Sequence, residues 1–385
     1  MRGRSRRDFR NWRICCMNEN VKKVKLGDVC FNESSNIAQK DLDGREGEYP
    51  IYGASGIIKN IDFYKCDLDY IAIVKDGAGV GRVMKLPAKS SVISTMQYIV
   101  PKGCINIDYL YYLLCYLDLS KFRSGSTIPH IYFKDYKNEN VSIFSLEEQR
   151  EIAYKLKCVD NLIEKRQRQL ENLDKLIKSQ FIEMFGDPEI NQHGFDKVTV
   201  NDVCAAIVRG PFGSALKKDF FVEKSSKTYK VYEQKHAIQK SATIGTYYID
   251  ETKFKELKRF ECKPGDFLMS CSGTMGELYQ LPADCERGII NQALCKFTLN
   301  DKIVPVFFLT YMSQTIGNLE TKGSGIKNIA AVSYVKAMPV ILPPIDLQNE
   351  FALFVERTDK SKFTIKQSLE QLEILKKSLM QKYFG

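Results

Sequence analysis

The chain has 385 residues, 44% of them apolar, and a formal net charge of +10. That length fits two or three domains, each able to bury its own core, and no apolar run approaches the roughly 18 to 20 residues of a membrane span. Twelve cysteines are scattered without a C-x-x-C pair, beside only three histidines, which argues for buried reduced thiols in a cytoplasmic protein and against a metal or disulfide framework.

Half of the charge excess sits in residues 1–16, where Arg2, Arg4, Arg6, Arg7, Arg10 and Arg13 face Asp8 alone. The segment has no apolar periodicity and precedes Met17, from which an ordinary domain start reads on. It is expected to be a disordered tail or a start assigned too far upstream, with a nucleic-acid-binding arm as the competing reading. Its apolar stretch is too short for a signal peptide.

Residues 17–144 read as a first mixed module. It opens on Val24-Lys-Leu-Gly-Asp-Val-Cys30 and closes on Gly125-Ser-Thr-Ile-Pro-His-Ile131. Between them, residues 69–74 and 97–100 read as strands and 107–119 as a helix. Asp76-Gly-Ala-Gly-Val-Gly81 has the glycines of a nucleotide loop. Such a loop must lead into a helix whose free amides face the phosphate, whereas residues 82–86 read as a strand, so a hairpin turn is expected.

Ser145-Leu-Glu-Glu148 fits a capping box, in which the serine hydroxyl and the glutamate each satisfy a free backbone amide. Behind it Ile152, Leu156, Val159, Ile163, Arg166, Leu170, Leu173, Ile177, Gln180 and Met184 alternate spacings of four and three, a heptad seam. Gly186-Asp187-Pro188 stops the run. Residues 145–186 are therefore expected to form a spacer helix on the order of 60 Å long.

A second module, residues 187–344, opens on Val198-Thr-Val-Asn-Asp-Val-Cys204 and closes on Gly323-Ser-Gly-Ile-Lys-Asn-Ile329. Strands are expected at 266–269 and 294–298, a hairpin turn at Ser272–Gly276 and a helix at 304–316. Residues 345–385 then form a second long helix, with Phe351, Val355, Ile365, Leu369, Leu372, Leu379 and Tyr383 in the same seam register and Thr358, Lys362 and Lys376 interrupting it. Polar seam positions are expected where two helices must choose one register and one antiparallel orientation.

The two long segments are copies of each other. Residues 146–186 return without a gap as 345–385, with 12 identities in 41 positions, among them Gln149 with Gln348, Asp160 with Asp359 and Phe185-Gly186 with Phe384-Gly385. Average composition gives about two or three by chance. The modules share their opening and closing phrases but diverge between them, which implies one fold carrying two specificities. The fold class is α+β: two mixed α/β recognition modules separated by two long antiparallel coiled-coil helices, with a pseudo-two-fold internal repeat.

No catalytic constellation is evident. His130, His193 and His236 have no partnered nucleophile and are expected to be surface or turn residues. The polar and basic loop residues are the candidates for binding nucleic acid: Tyr52, Ser55, Lys59, Lys75, Arg82, Arg123, Ser126, His130 and Lys134 in the first module, and Arg209, Ser214, Lys217, Lys218, Ser272, Thr274, Lys322, Ser324, Lys327 and Asn328 in the second. Lys and Arg neutralise phosphates, while Arg, Asn, Gln and Ser pair with base edges.

Two variable modules alternating with two repeated helices resemble the specificity subunit of type I restriction-modification systems, over essentially all of residues 17–385. Tyr49-Pro-Ile-Tyr-Gly-Ala-Ser-Gly-Ile-Ile58 with Asp76-Gly-Ala-Gly79 looks like one class of target-recognition domain, and Gly210-Pro-Phe-Gly-Ser214 looks like another. Pro343-Pro344 with Gln348 is similar to the junction into the spacer helix, and Phe185-Gly-Asp-Pro188 to its exit. The first copy departs from this with Phe144-Ser145 in place of the proline pair, and the second stops at Gly385 without the Asp-Pro.

The resemblance implies a non-catalytic reader of double-stranded DNA. Each module would bind one half of an asymmetric bipartite site, and the helices would fix the gap and dock two modification subunits. It implies no cofactor on this chain, with S-adenosylmethionine, ATP and Mg held in the modification and restriction subunits. A single-chain restriction-methylation enzyme is disfavoured because two modules leave no room for a methyltransferase domain. The recognition subunit of a related two-component restriction-methylation enzyme and a coiled-coil scaffold that binds only proteins are the two remaining rivals.

Overall fold

The structure is a computed structural model that describes residues 21–77, 79–125, 127–272, 274–321 and 332–385. The arginine-rich segment 1–16 lies outside the described residues. The chain divides into two compact units, Met1–Gln167 with Lys366–Gly385, and Arg168–Ile365.

In the first unit the module is closed by its own ends. Strand Lys22–Lys25 pairs antiparallel with Asn140–Ile143, setting Val24 opposite Val141. The main sheet is antiparallel and four-stranded, in the order Cys30–Ser34, Met96–Pro101, Tyr70–Val74, Val83–Leu86. A β-strand sends successive side chains to opposite faces, and here both faces are covered. Ile71, Ile73 and Ile99 pack toward helix Ile107–Leu117, with Tyr109 and Leu113, while Tyr70, Ala72, Val74 and Tyr98 form a separate cluster on the other side. That is why Tyr70–Val74 is buried along its whole length. A three-stranded sheet follows, in the order Gly56–Ile61, Tyr49–Gly53, Ser91–Val92.

The second unit repeats this frame. Asp196–Thr199 pairs antiparallel with Pro339–Leu342, with Val198 opposite Val340. Its main sheet has the same antiparallel order: Cys204–Arg209, Leu294–Leu299, Phe267–Ser270, Leu278–Gln280. Phe267, Met269 and Phe297 pack with Phe307 and Phe308 of helix Pro305–Thr321 on one face, and Leu268 and Leu294 on the other. The second sheet differs. It has four strands, Tyr248–Ile249, Tyr229–Tyr232, Gly288–Ile290 and Glu261–Cys262, and two added helices, Gln234–Ile238 and Glu251–Glu256. The extra length of the second interior lies in these additions.

The glycine run of the first module joins Tyr70–Val74 to Val83–Leu86 in an antiparallel hairpin, as its sequence leads one to expect. Its counterpart joins Phe267–Ser270 to Leu278–Gln280.

The long helices span Leu146–Phe185 and Ile345–Phe384. The Ser145 capping box is present: Ser145 N donates to Glu148 Oε2 at 3.1 Å and Glu148 N donates to Ser145 Oγ at 3.3 Å. Within the first unit the helices run antiparallel, Ile152, Ala153 and Leu156 sharing a core with Met380 and Phe384. Within the second, Phe181 and Phe185 each lie 5.5 Å from Phe351, ring centre to ring centre. All the seam positions named above are buried or half-buried.

A glutamine fixes each helix to its module in the same way. Gln149 Oε1 accepts from Asn106 N at 2.7 Å, and its Nε2 donates to Cys104 O at 3.1 Å and Phe144 O at 2.9 Å. Gln348 Oε1 accepts from Val304 N at 2.8 Å, and its Nε2 donates to Lys302 O at 3.3 Å and Pro343 O at 2.8 Å. Both side chains are fully buried, so each bond satisfies a backbone group that water cannot reach. The proline pair seen only in the second copy is not needed for this geometry, since Phe144 O serves where Pro343 O does.

Candidate nucleic-acid interface

In the first module two loops that are distant in sequence are tied together. Ile131 N donates to Lys75 O at 2.9 Å and Gly77 N to Pro129 O at 2.9 Å. Ser124 and His130 exchange backbone hydrogen bonds of 2.9 and 2.8 Å, closing the tip of the second loop. Gly125 makes that closure possible, with φ +90° and Ile128 O only 2.6 Å from where a Cβ would sit. Arg82 Nη1 donates to Ala54 O at 2.6 Å, which brings in the turn that carries Ser55.

These ties gather Ser55, Lys75, Arg82, Arg123 and His130 from three loops. Ser55, Arg82 and Arg123 are exposed, and Tyr52 is half-buried in strand Tyr49–Gly53. Lys134 Nζ stands 5.1 Å from the centre of the Tyr132 ring, and the His130 ring packs on the same tyrosine. Lys59 is directed elsewhere: its Nζ donates to Leu42 O at 3.2 Å, inside its own module. Ser126 lies outside the described residues.

Beside the loops is a cleft of about 300 Å³ lined by Asn32, Ser34, Lys75, Gln97, Tyr132, Lys134 and Lys137, among others. Gln97 is buried, its Nε2 donating to Tyr136 Oη at 2.7 Å. Lys75 is 3.8 Å from Asp76, so two of the three lysines face the cleft without a carboxylate partner among the described residues. A cationic cleft floored by amides suits a phosphodiester with an adjoining base. Asn32, Ser34, Gln97 and Lys137 are not among the residues singled out from sequence. Gln97, a polar residue inside the apolar run Met96–Tyr98, is the signal that could have found them.

The second module offers a different surface. Arg209 ends strand Cys204–Arg209 and is buried, its guanidinium 5.7 Å from the Phe212 ring centre. Burial lowers its pKa. It shapes the Gly210-Pro-Phe-Gly213 turn from inside, where a side chain on Gly210 would meet Asn291 O at 1.9 Å. Ser214, Lys217 and Lys218 are exposed beyond that turn. Ser272 is half-buried and Thr274 exposed. Gln234 Nε2 donates to Ser272 O and, at 3.2 Å, to Thr274 O, clamping this hairpin tip. Gln234 is absent from the sequence-derived set. Lys322, Ser324, Lys327 and Asn328 lie outside the described residues.

Under these loops the second sheet holds a buried cation. Lys230, 1% exposed, reaches Glu286 Oε1 at 3.1 Å, and Lys224 Nζ reaches Glu286 Oε2 at 2.7 Å. Tyr248 Oη donates to Glu286 Oε1 at 3.1 Å. Burial alone would raise the Glu286 carboxyl, but its hydrogen bonds from Lys224 and Lys230 hold it below the usual glutamate value. His236 is buried, contrary to the surface position expected. Its Nδ1 accepts from Glu233 N at 2.8 Å and its Nε2 lies 2.7 Å from Ile244 O, the pattern of a neutral ring in a structural role. Among the described residues no group of His, Cys, Asp and Glu is arranged to hold a metal ion.

One closed frame used twice, with different loops on each copy, defines a duplicated recognition module. A family model described as the type I restriction modification DNA specificity domain matches residues 18–172 and 192–374, and the chain belongs to that family. It is 29% identical over 199 residues to the type I restriction enzyme MjaVIII specificity subunit of Methanocaldococcus jannaschii, covering 48% of this chain and 46% of that one. It is 35% identical over 177 residues to the MjaIX specificity subunit of the same organism, covering 44% and 40%. The chain thus matches less than half the length of these relatives. In fold it is similar to the S subunit of a type I restriction-modification system from M. genitalium, with TM-score 0.60, 16% identity, and coverage of 96% of this chain and 98% of that one. A chain from a structural study of type I system assembly gives TM-score 0.58 at 14% identity, covering 96% and 99%. No helix among the described residues is long and apolar enough to cross a membrane.

Proposed function

We propose that this protein is the DNA-reading subunit of a type I restriction-modification enzyme, and that each module reads one half of an asymmetric bipartite site. The observation that carries this is the repeated frame: two main sheets of identical strand order, each closed by pairing of the module's first and last strands and pinned to its helix by a buried glutamine, support unlike loops. Two readers of a few base pairs each multiply a discrimination of about 1 to 3 kcal/mol per base pair into useful specificity. In the first module Lys75, Lys134 and Lys137 hold backbone phosphate while the loop side chains meet base edges. The domains are residues 17–144 and 187–344, with 145–186 and 345–385 as spacers.

The chain itself performs no chemistry. Two modification subunits dock on the helices and methylate adenine with S-adenosylmethionine, and restriction subunits use ATP and Mg. Support for two docking sites comes from the outer helix faces, where Tyr154 and its repeat equivalent Leu353 are both exposed, as are Leu176 and its equivalent Leu375. Apolar side chains repeated on a solvent face suit two copies of one partner. The test is to map methylated adenines in a host expressing this chain with its modification subunit. A bipartite motif is expected; methyl transfer by the purified chain alone would overturn the reading.

A further inference from the structure

The seam of the C-terminal helix is interrupted by Lys362 and Lys376, and a lysine at a core position of a helix pair lowers stability unless it finds a partner. Each finds one on the central helix. Lys376 Nζ reaches Asp160 Oδ1 at 2.6 Å within the first unit, and Tyr112 Oη donates to Asp160 Oδ2 at 2.9 Å, holding the carboxylate in place. Lys362 Nζ reaches Asp174 Oδ1 at 2.7 Å within the second unit, and Asp359 Oδ1 at 3.2 Å on its own helix. Burial alone would lower the Lys362 ammonium, but its bonds to these two carboxylates raise it.

The two pairs share one logic. Asp160 precedes Asp174 by two heptads, and Lys376 follows Lys362 by two heptads, so both pairs form in one antiparallel register. A slip of one heptad carries each lysine about 10.5 Å from its aspartate on the central helix, setting Lys376 opposite Ala153 or Gln167 and Lys362 opposite Gln167 or Phe181, with only Asp359 of its own helix left to it. The repeat adds a second discrimination. In the first copy the places of Lys362 and Lys376 are taken by Ile163 and Ile177, so a first-copy helix set in the same register would place isoleucine against both aspartates.

We infer that Lys362 and Lys376 are positioning residues, which through Asp174 and Asp160 lock the two long helices into a single antiparallel register and so set the distance between the modules. The seam leucines drive association and the two ion pairs choose its alignment. The consequence for DNA rests on the reading proposed above; the pairing itself does not.

The experiment is a pair of charge-swap cycles in the full-length chain: Lys376→Asp, Asp160→Lys and the two together, and likewise Lys362→Asp, Asp174→Lys and the two together. Each single reversal sets like charges face to face and is expected to lower Tm by about 2–4 °C. Each swapped pair is expected to recover most of that loss, and recovery should shrink at high salt. If the swapped pairs lose as much as the two singles added together, the lysines have no positioning role and the inference is overturned. With the modification subunit present, the swapped pairs should keep the methylated gap unchanged, while single reversals should lower methylation and blur the gap. Loss of specific methylation by the unaltered chain would bring down the functional reading and leave the Tm coupling standing, so the two failures are told apart.

Discussion

The two modules differ most where their sequences part and least where the chain must close on itself. Each is sealed by pairing of its first and last strands, each has the same four-strand order, and each is pinned to its helix by a buried glutamine. Above that frame the first module carries a three-stranded sheet and an open cleft lined by Lys75, Lys134 and Lys137. The second carries a four-stranded sheet around the buried Lys230, held by the half-buried Glu286. Strands Met96–Pro101 and Leu294–Leu299 share a place in the sheet, yet their polar insertions lie on opposite faces: Gln97, paired with Ile73, lines the cleft of the first module, whereas Lys296, paired with Leu268, sends its Nζ to Glu261 O at 2.6 Å. A frame stabilised by backbone pairing and apolar burial tolerates such exchanges, because the side chains that vary are not the ones that close it.

The largest loss should fall on the second module alone. Glu286→Ala leaves Lys230 buried without its carboxylate and should cost about 3 kcal/mol, read as a lower midpoint in urea unfolding. The first module has no counterpart among its described residues, so a fluorescence probe placed there should report little change. A smaller effect should sharpen the shared frame. Gln149→Leu and Gln348→Leu each orphan a buried backbone amide and should cost about 2 kcal/mol apiece; clearly unequal losses would show that the two junctions are not equivalent.

At the cleft, Lys75→Ala, Lys134→Ala and Lys137→Ala should each reduce the slope of log affinity against log salt by about 1 if each neutralises a phosphate. The half-site read by the second module should be unaltered. The smallest effect is acid sensitivity. Because the folded Glu286 carboxyl titrates below the usual value of 4.5, its contribution is complete above that pH and disappears as pH falls through the lower folded value. Between pH 5 and pH 3, Glu286→Gln should flatten the stability profile of the second unit, and an unchanged slope would contradict this account of the network.

Much of the frame was legible in the sequence because local rules decide it. The capping box, the seam and the stop at Gly186 mark the central helix, observed at Leu146–Phe185, and the strands read at 69–74 and 294–298 are observed at Tyr70–Val74 and Leu294–Leu299. The pairing of module ends was not legible, since Val24 and Val141 meet only through tertiary contact. The interface was the least legible part. Residue type alone made Lys59 and Arg209 candidates, but one bonds within its own module and the other is buried under Phe212. Gln97 and Gln234 escaped notice because a single amide in an apolar or mixed run has no periodic signature, and only the fold shows what it faces.

On the proposed reading, the loops read sequence while the frame and helices set spacing. Replacing residues 198–340 with another module of the same frame, expressing the chimera with the modification subunit and sequencing its methylated adenines tests this directly. One half-site should change while the other half and the gap stay as they were. A chimera that rewrites both halves, or that alters the gap with the half-sites intact, would contradict the account.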